Sequence, residues 1–446
     1  MKNVYLLAAV TVFVLFLSAC SGSGKRRSNK TNPPAVSIAA FVPPNIDPAI
    51  NIYIENSGSM DGYVNGNTEF KGAIRDLLVL LKHYYVGDKI KIHFINTKIR
   101  PSATQTDLAL FAANINAHWT VKGENRSSSK LNDVFKMILD KTDKETISIL
   151  FSDCIYSISG RDAEGLLSDQ KSLTKDAFLS RWRQDSLKLA TTIVKMKSTF
   201  NGTYFDKDNK KTILKGVKRP YYICVIGNND LMIDFNAKIP FEKEKSDGFD
   251  NKYILSTRAS GNIYYSVLLS TENVGRFKPN RKLNSTDFIH GIKDVNLKSR
   301  SRDNEGNVKF TFAVAVDMKD VAAEEDYCMN PGNYLLGDDN FRIKEIKKAD
   351  KNSISPSDWV KINEANPTHL IVLEATGTAI TNVKVSLKKQ TPQWIAQTNI
   401  MDDNNIHRNL DKTFGIKYLI EGIAEAYQII YPEDKNFFEF EISINN

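Results

Sequence analysis

The loop Ile54-Glu55-Asn56-Ser57-Gly58-Ser59-Met60 sets a carboxylate and two hydroxyls at alternate positions directly after an apolar run. A second carboxylate, Asp153, follows another such run, Ile147-Ser148-Ile149-Leu150-Phe151-Ser152. Carboxylate and hydroxyl oxygens are hard donors, and they suit Mg²⁺ or Ca²⁺ better than softer metals. The same side chains have a plainer use, because Asn and Ser also cap helix N-termini and satisfy loop backbone. Other groupings are poorer in chemistry. Gly58-Ser59-Met60-Asp61-Gly62 has the outline of a nucleophile elbow, but its serine is second rather than third and no histidine follows at a telling place. Asp206, Asp208 and Asn209 lack the glycine and terminal glutamate of a calcium loop and read as a hairpin turn. Cys154, Cys224 and Cys328 have neither zinc nor redox spacing. One disulfide at most joins two of them, and the spacing does not choose the pair. His83, His93, His118, His290, His369 and His407 show no ligand spacing.

Alternating strands and helices must position these groups. Ala49 to Ile54 reads as a buried strand, and Gly58, Gly62 and Gly66 punctuate the loop after it. Phe70, Ala73, Ile74, Leu77, Leu78, Leu81 and Tyr84 recur every three or four residues, which predicts a helix from about residue 68. Ile90, Ile92 and Phe94 alternate with polar residues as in a half-covered strand, with a short partner at 98–100. Helices are expected at 106–117, 129–140 and 174–198, a central strand at 146–151, a hairpin over 200–214 and a buried strand at 221–226. Strands alternating with helices imply an α/β fold, with a mostly parallel sheet covered on both faces. Beyond about residue 250, strand-like stretches at 252–256, 262–269, 308–317, 341–347, 368–375, 381–388 and 437–444 are joined by polar loops. With one helix at 411–430, they predict a β-rich, sandwich-like C-terminal domain over 250–446.

Residues 48–235 resemble a von Willebrand factor A (vWA) domain, a Rossmann-type fold whose metal-ion-dependent adhesion site begins with Asp-x-Ser-x-Ser after the first strand. The likeness rests on the loop at 55–59 and on the order of elements: strand, motif loop, helix, two-strand edge, helix, a Ser or Thr before a helix, and an Asp ending a central strand. It implies that Ser57 and Ser59 match the motif serines, Ser129 the family's threonine and Asp153 its distal aspartate, with Glu55 at the first aspartate's position. Glu55 is one methylene longer and Ser129 lacks a methyl group, so both depart from the pattern. Mg²⁺ demands near-ideal octahedral geometry, which makes the longer carboxylate the greater departure. The implied cofactor is Mg²⁺, with Ca²⁺ or Mn²⁺ as substitutes. The implied activity is capture of an acidic residue of a protein partner, rather than catalysis. The carboxyl ends of parallel strands, where open α/β sheets leave a crevice, are where such oxygens would gather.

The N-terminus carries a second resemblance. Lys2, the apolar stretch Val4 to Leu17 and the tetrapeptide Leu17-Ser18-Ala19-Cys20 look like a lipoprotein signal peptide, residues 1–19, ending in a lipobox. This implies cleavage before Cys20 and acylation there, palmitate included. Several acyl chains, at about 0.8 kcal/mol per buried CH₂, would hold the protein on a bilayer. An uncleaved transmembrane anchor is the competing reading, but the run falls short of the ~20 residues that a span needs. Residues 20–47, with Ser21-Gly22-Ser23-Gly24, a basic cluster and Pro33-Pro34, read as a flexible tether. In lipoproteins of the Bacteroidota, which this Lys- and Asn-rich chain resembles, surface export goes with acidic residues after the cysteine. The basic residues here instead imply an outer-membrane anchor facing the periplasm.

Composition bounds the remaining classes. The 446 residues, 41% of them hydrophobic, fit about two globular domains and exclude wholesale disorder. The net charge of +8 is spread as 60 Lys and Arg among 52 Asp and Glu, and the basic segment at 25–30 has no interleaved aromatics, so no nucleic-acid partner is expected. Two readings stand: a lipid-anchored protein-binding module, and a metal-free structural or assembly subunit of the cell envelope. A hydrolase is the weaker third.

Overall fold

The computed structural model describes residues 46–103, 107–115, 126, 130–158, 162–242, 248–256, 263–280, 288–296, 310–319, 321, 323, 325–375, 381–433 and 435–445. The expected signal segment, Cys20 and nearly all of the tether lie outside the described residues, as does Ser129. Among the described residues, no helix is long and apolar enough to cross a membrane.

The first part of the chain runs β1 (Ala49–Glu55), α1 (Asp61–Val64), α2 (Glu69–Tyr84), β2 (Ile90–Ile95), β3 (Ile99–Pro101), α3 (Leu108–Ala113), α4 (Leu131–Leu139), β4 (Thr146–Ser152), α5 (Ala163–Asp185), β5 (Leu189–Phe205), β6 (Lys211–Asn228), α6 (Asn229–Lys238) and β7 (Phe249–Leu255). Its strands form one seven-stranded sheet in the order β3-β2-β1-β4-β6-β5-β7. The centre of this sheet is buried on both sides. Ile50, Ile52, Ile54, Ile147, Ile149 and Phe151 face a core shared with α2 and α6. Tyr53 and Leu150 face a second core on the opposite side. Full burial of each large apolar side chain contributes roughly 1.5–3 kcal/mol, and this explains why the central strands read as nearly continuous apolar runs.

The sheet is mixed rather than mostly parallel. Strand β1 pairs in parallel with β2 and β4, whereas β3, β6, β5 and β7 all join their neighbours antiparallel. The cause is the segment read from sequence as a helix over 174–198. Helix α5 ends at Asp185, and Ser186 takes a left-handed φ of 53°. The β-branched run Thr191-Thr192-Ile193-Val194 then continues as strand, where such side chains pack well. Ile193 faces the second core and Val194 the first, an alternation that a helix would not give. Because β5 turns straight back into β6 as a hairpin, no crossover returns the chain in parallel.

The rest of the chain runs β8 (Tyr265–Val267), β9 (Arg276–Pro279), β10 (Gly291–Asn296), β11 (Phe310–Val316), α7 (Glu325–Cys328), β12 (Tyr334–Leu336), β13 (Phe341–Lys348), α8 (Pro356–Ile362), β14 (His369–Ala375), β15 (Val383–Lys388), α9 (Gln393–Thr398), β16 (Asn399–Ile400), β17 (Thr413–Phe414), α10 (Ile416–Ile430) and β18 (Asn436–Asn445). A five-stranded sheet, β12-β15-β18-β10-β9, and a four-stranded sheet, β13-β14-β11-β8, enclose a core of Phe310, Phe312, Ile371, Leu373, Phe438 and Phe440, among others. Chain order and packing diverge at two places. Strand β7 pairs with β5, and Trp394, Ile395, Leu419, Ile420 and Ile423 from α9 and α10 fill the second core beneath the first sheet, beside Phe178 of α5. The expected C-terminal domain of residues 250–446 thus contributes one strand and two helices to the layers of the first sheet.

Candidate functional site

The site begins where two parallel strands end. Ile54 of β1 stands beside Phe151 of β4, so Glu55, the last residue of β1, and Asp153, just past β4, emerge at the same edge. Both are nearly sealed, at 2% and 3% exposure. Ser57 Oγ and Ser59 Oγ are 3.0 Å apart, and the Ser59 side chain lies close enough to the Asp153 carboxylate to favour its charged form. Glu55, Ser57, Ser59 and Asp153 therefore occupy one locus.

Its electrostatics are those of two carboxylates short of positive charge. Burial and the neighbouring charge of Glu55 push the Asp153 carboxyl up to about 7, against smaller opposing effects from Ser59, the Ile155 amide and Arg219. The Ser152 hydroxyl donates to Glu55 Oε2, and its oxygen accepts from the Cys154 amide at 2.8 Å. Ser152 is fully buried, and its contribution went unread in the sequence although it directly precedes Asp153.

Arg126 staples the motif loop from outside. Its guanidinium donates to the Asn56 carbonyl at 2.8 Å and the Ser57 carbonyl at 3.0 Å, and it holds both Asp61 carboxylate oxygens at 2.5 and 3.1 Å. Its own carbonyl accepts from the Gly58 amide at 3.1 Å. Nothing in the pattern of residues marks this arginine, because its neighbours in sequence are polar and unpatterned.

The β5–β6 hairpin runs past the end of the sheet and folds across the loop. The Tyr63 ring packs edge-on against Phe200, 5.0 Å between centroids, and its hydroxyl donates to the Pro220 carbonyl at 2.5 Å. At the root of this arm, Arg219 is 1% exposed and lies 4.7 Å from the centre of the Tyr204 ring. Its Nη1 donates to the carbonyls of Asn409, Leu410 and Lys412 at 3.0 to 3.2 Å. Asp403, fully buried, accepts from the Tyr204 hydroxyl at 2.5 Å and from the Lys207 amide at 2.9 Å, and burial raises its carboxyl above the ordinary range. The segment 403–412, far along the chain, is thereby built into the wall of the site. Sequence offered no signal for this, since Arg219 sits in a stretch of lysines that looks solvated.

One separation in the donor set is compatible with a hard cation. Neighbouring ligands of an octahedral ion at about 2.1 Å stand about 3.0 Å apart, which is the separation of the Ser57 and Ser59 hydroxyl oxygens. Among the described residues, no group of three or more His, Cys, Asp or Glu side chains could hold a metal, so an ion here would depend on the serines as well as the two carboxylates. No family model, curated protein or solved structure matches the chain.

Proposed function

We propose that the chain is an envelope lipoprotein, anchored through Cys20, whose vWA-like edge binds a protein partner through a divalent cation held by Ser57, Ser59, Asp153 and Glu55, with Ser129 as a further ligand. A cation bound there would supply a Lewis-acidic position for an acidic side chain of the partner. The observation that carries this reading is the meeting of the paired serine hydroxyls with Asp153, beside a second carboxylate, at the carboxyl ends of parallel strands. A buried carboxylate pair is costly without compensating positive charge, and a cation removes that cost.

Calorimetric titration of the full-length chain in detergent with Mg²⁺, Ca²⁺ and Mn²⁺ tests the proposal. Saturable binding that is lost in the Ser57→Ala, Ser59→Ala double variant supports it. No heat at millimolar cation, together with an unchanged set of co-purifying proteins in that variant, removes it.

A metal-free structural subunit is the second reading, and a different observation favours it. The Asp153 carboxylate already has the charge of Arg219 acting on it, and the Ser152 hydroxyl already satisfies Glu55. On this reading the double serine variant keeps its partners and its function.

A further inference from the structure

A cavity of about 440 Å³ lies along the outer edge of the first sheet, and neither reading uses it. Strands β6 and β5 stand between its edge strand, β7, and β4. Four stretches of chain wall it: Tyr253 to Ser256 on β7, residues 389–391 after β15, the C-terminal half of α10, and residues 435–437 at the start of β18. Long-range packing brings them together. Strand β7 pairs with β5, α10 shares the second core with Leu255, and the Lys389 amide donates to the Lys435 carbonyl at 2.8 Å.

The floor is buried, since Leu255, Ala424 and Tyr427 are 8% exposed or less. Tyr427 is held there by its hydroxyl, 3.0 Å from Thr191 Oγ1, and its ring centre stands 6.4 Å from that of Tyr431. The mouth is polar, with Gln390, Gln428 and Lys435 exposed. A second lysine, Lys389, lies with its ammonium 5.7 Å from the centre of the Phe437 ring and donates to the Ser256 carbonyl at 3.4 Å. None of the described residues lining the cavity is acidic.

We infer that this cavity binds a small aromatic carboxylate. Its volume falls within the roughly 300–1,000 Å³ of small-molecule sites, which combine apolar and aromatic walls with a few polar groups. Tyr253, Tyr427, Tyr431 and Phe437 supply ring faces and edges, against which a flat ring packs with more specific attraction than an acyl chain. Two ammonium groups with no carboxylate among the lining side chains select an anion over a cation. A carboxylate at the mouth would accept charge-assisted hydrogen bonds from Lys389 and Lys435, while its ring lay on the floor.

Calorimetric titration of the full-length chain in detergent with 2-naphthoate, blanked against detergent alone, tests this. The comparator is 2-naphthylmethylammonium, which keeps the ring and reverses the charge. The expected result is one saturable site for the naphthoate and none for the ammonium. Lys435→Glu, at an exposed position, should weaken naphthoate binding about tenfold, the worth of one charge-assisted hydrogen bond. Gln428→Trp places an indole across the mouth from an exposed helix position and should abolish binding, with the thermal midpoint of the wild type retained. No saturable heat at millimolar naphthoate overturns the inference, as does equal affinity for the ammonium or undiminished binding in Gln428→Trp. These outcomes are independent of cation binding, which the serine variants test separately.

Discussion

Gly202 of the β5–β6 arm meets Gly62 of helix α1 so closely that a Cβ built on Gly202 would stand 2.6 Å from the Gly62 Cα. A Cβ on Gly62 would in turn lie 2.3 Å from the Phe200 ring. The arm can lie across the motif loop only because neither residue has a side chain, and this contact fixes the wall of the candidate site.

Gly202→Ala should therefore destabilise the fold by about 1–3 kcal/mol, the range for overpacking a well-filled contact. Gly72→Ala serves as the control: it sits within α2 with nothing within 4 Å of the added carbon, and gains roughly 0.5–1 kcal/mol from helix propensity. Denaturant midpoints for the two variants should move in opposite directions. A neutral Gly202→Ala would mean that the arm does not rest on α1.

Arg219→Met removes a buried cation whose Nη1 serves three carbonyls of residues 409–412. A loss of about 3–5 kcal/mol is expected, as for breaking a buried charged contact. Limited proteolysis distinguishes local from global damage, because the released segment should be cut between residues 403 and 412 before the remainder of the chain. Proteolysis that starts elsewhere counts against Arg219 holding this segment in place.

The pH dependence of Asp153 has a definite sign. Its carboxyl is raised from 3.8 to about 7 in the folded chain, so between those values the folded state holds a proton that the unfolded state has lost. Stability attributable to this group is full below pH 4 and falls as pH rises through 7. In EDTA, Asp153→Asn should match the wild type at pH 4 and exceed it at pH 8 by more than about 1 kcal/mol, the worth of one pKa unit. Equal stabilities at pH 8 would show that the carboxylate is not strained by burial and by Glu55.

Glu69 runs the other way. Burial would raise its carboxyl, but hydrogen bonds from Lys218 and from the Thr199 amide, the latter at 2.7 Å, outweigh it and hold the group at about 2. Its contribution is present above the unfolded value of 4.5 and fades as pH falls towards 2. Glu69→Gln should cost about 1 kcal/mol or less at pH 7, given the exposed lysine partner, and nothing measurable at pH 2. Thermal midpoints across that range check this.

Lipid attachment is open to direct labelling. Growth with radiolabelled palmitate should mark the wild-type chain, and Cys20→Ala should lose both the label and membrane retention. A labelled Cys20→Ala protein would move the anchor elsewhere.

Local pattern made much of the molecule readable in advance. The stripe from Phe70 to Leu81 became α2, the apolar run at 146–151 became β4, and the turn at Lys207-Asp208-Asn209-Lys210 became the tip of a hairpin, because burial period and turn chemistry act over a few residues. The oxygen donors Glu55, Ser57, Ser59 and Asp153 were legible for a related reason: residues that end strands or open loops at one sheet edge are marked by their place after apolar runs. The segment 189–198 was misread because Leu187, Ala190, Ile193 and Val194 fit a helical stripe as well as a buried strand, and only pairing with β6 and β7 separates the two.

Residue type and order thus settled which oxygen-bearing side chains stand at one sheet edge and which strands carry them. They could not settle that α10 crosses back to cover the first sheet, that Arg219 reaches residues 409–412, or that Gly62 and Gly202 touch. Those outcomes depend on which surfaces find one another once the whole chain is packed. Such contacts between distant segments are chosen by shape and burial together, and a linear pattern records neither.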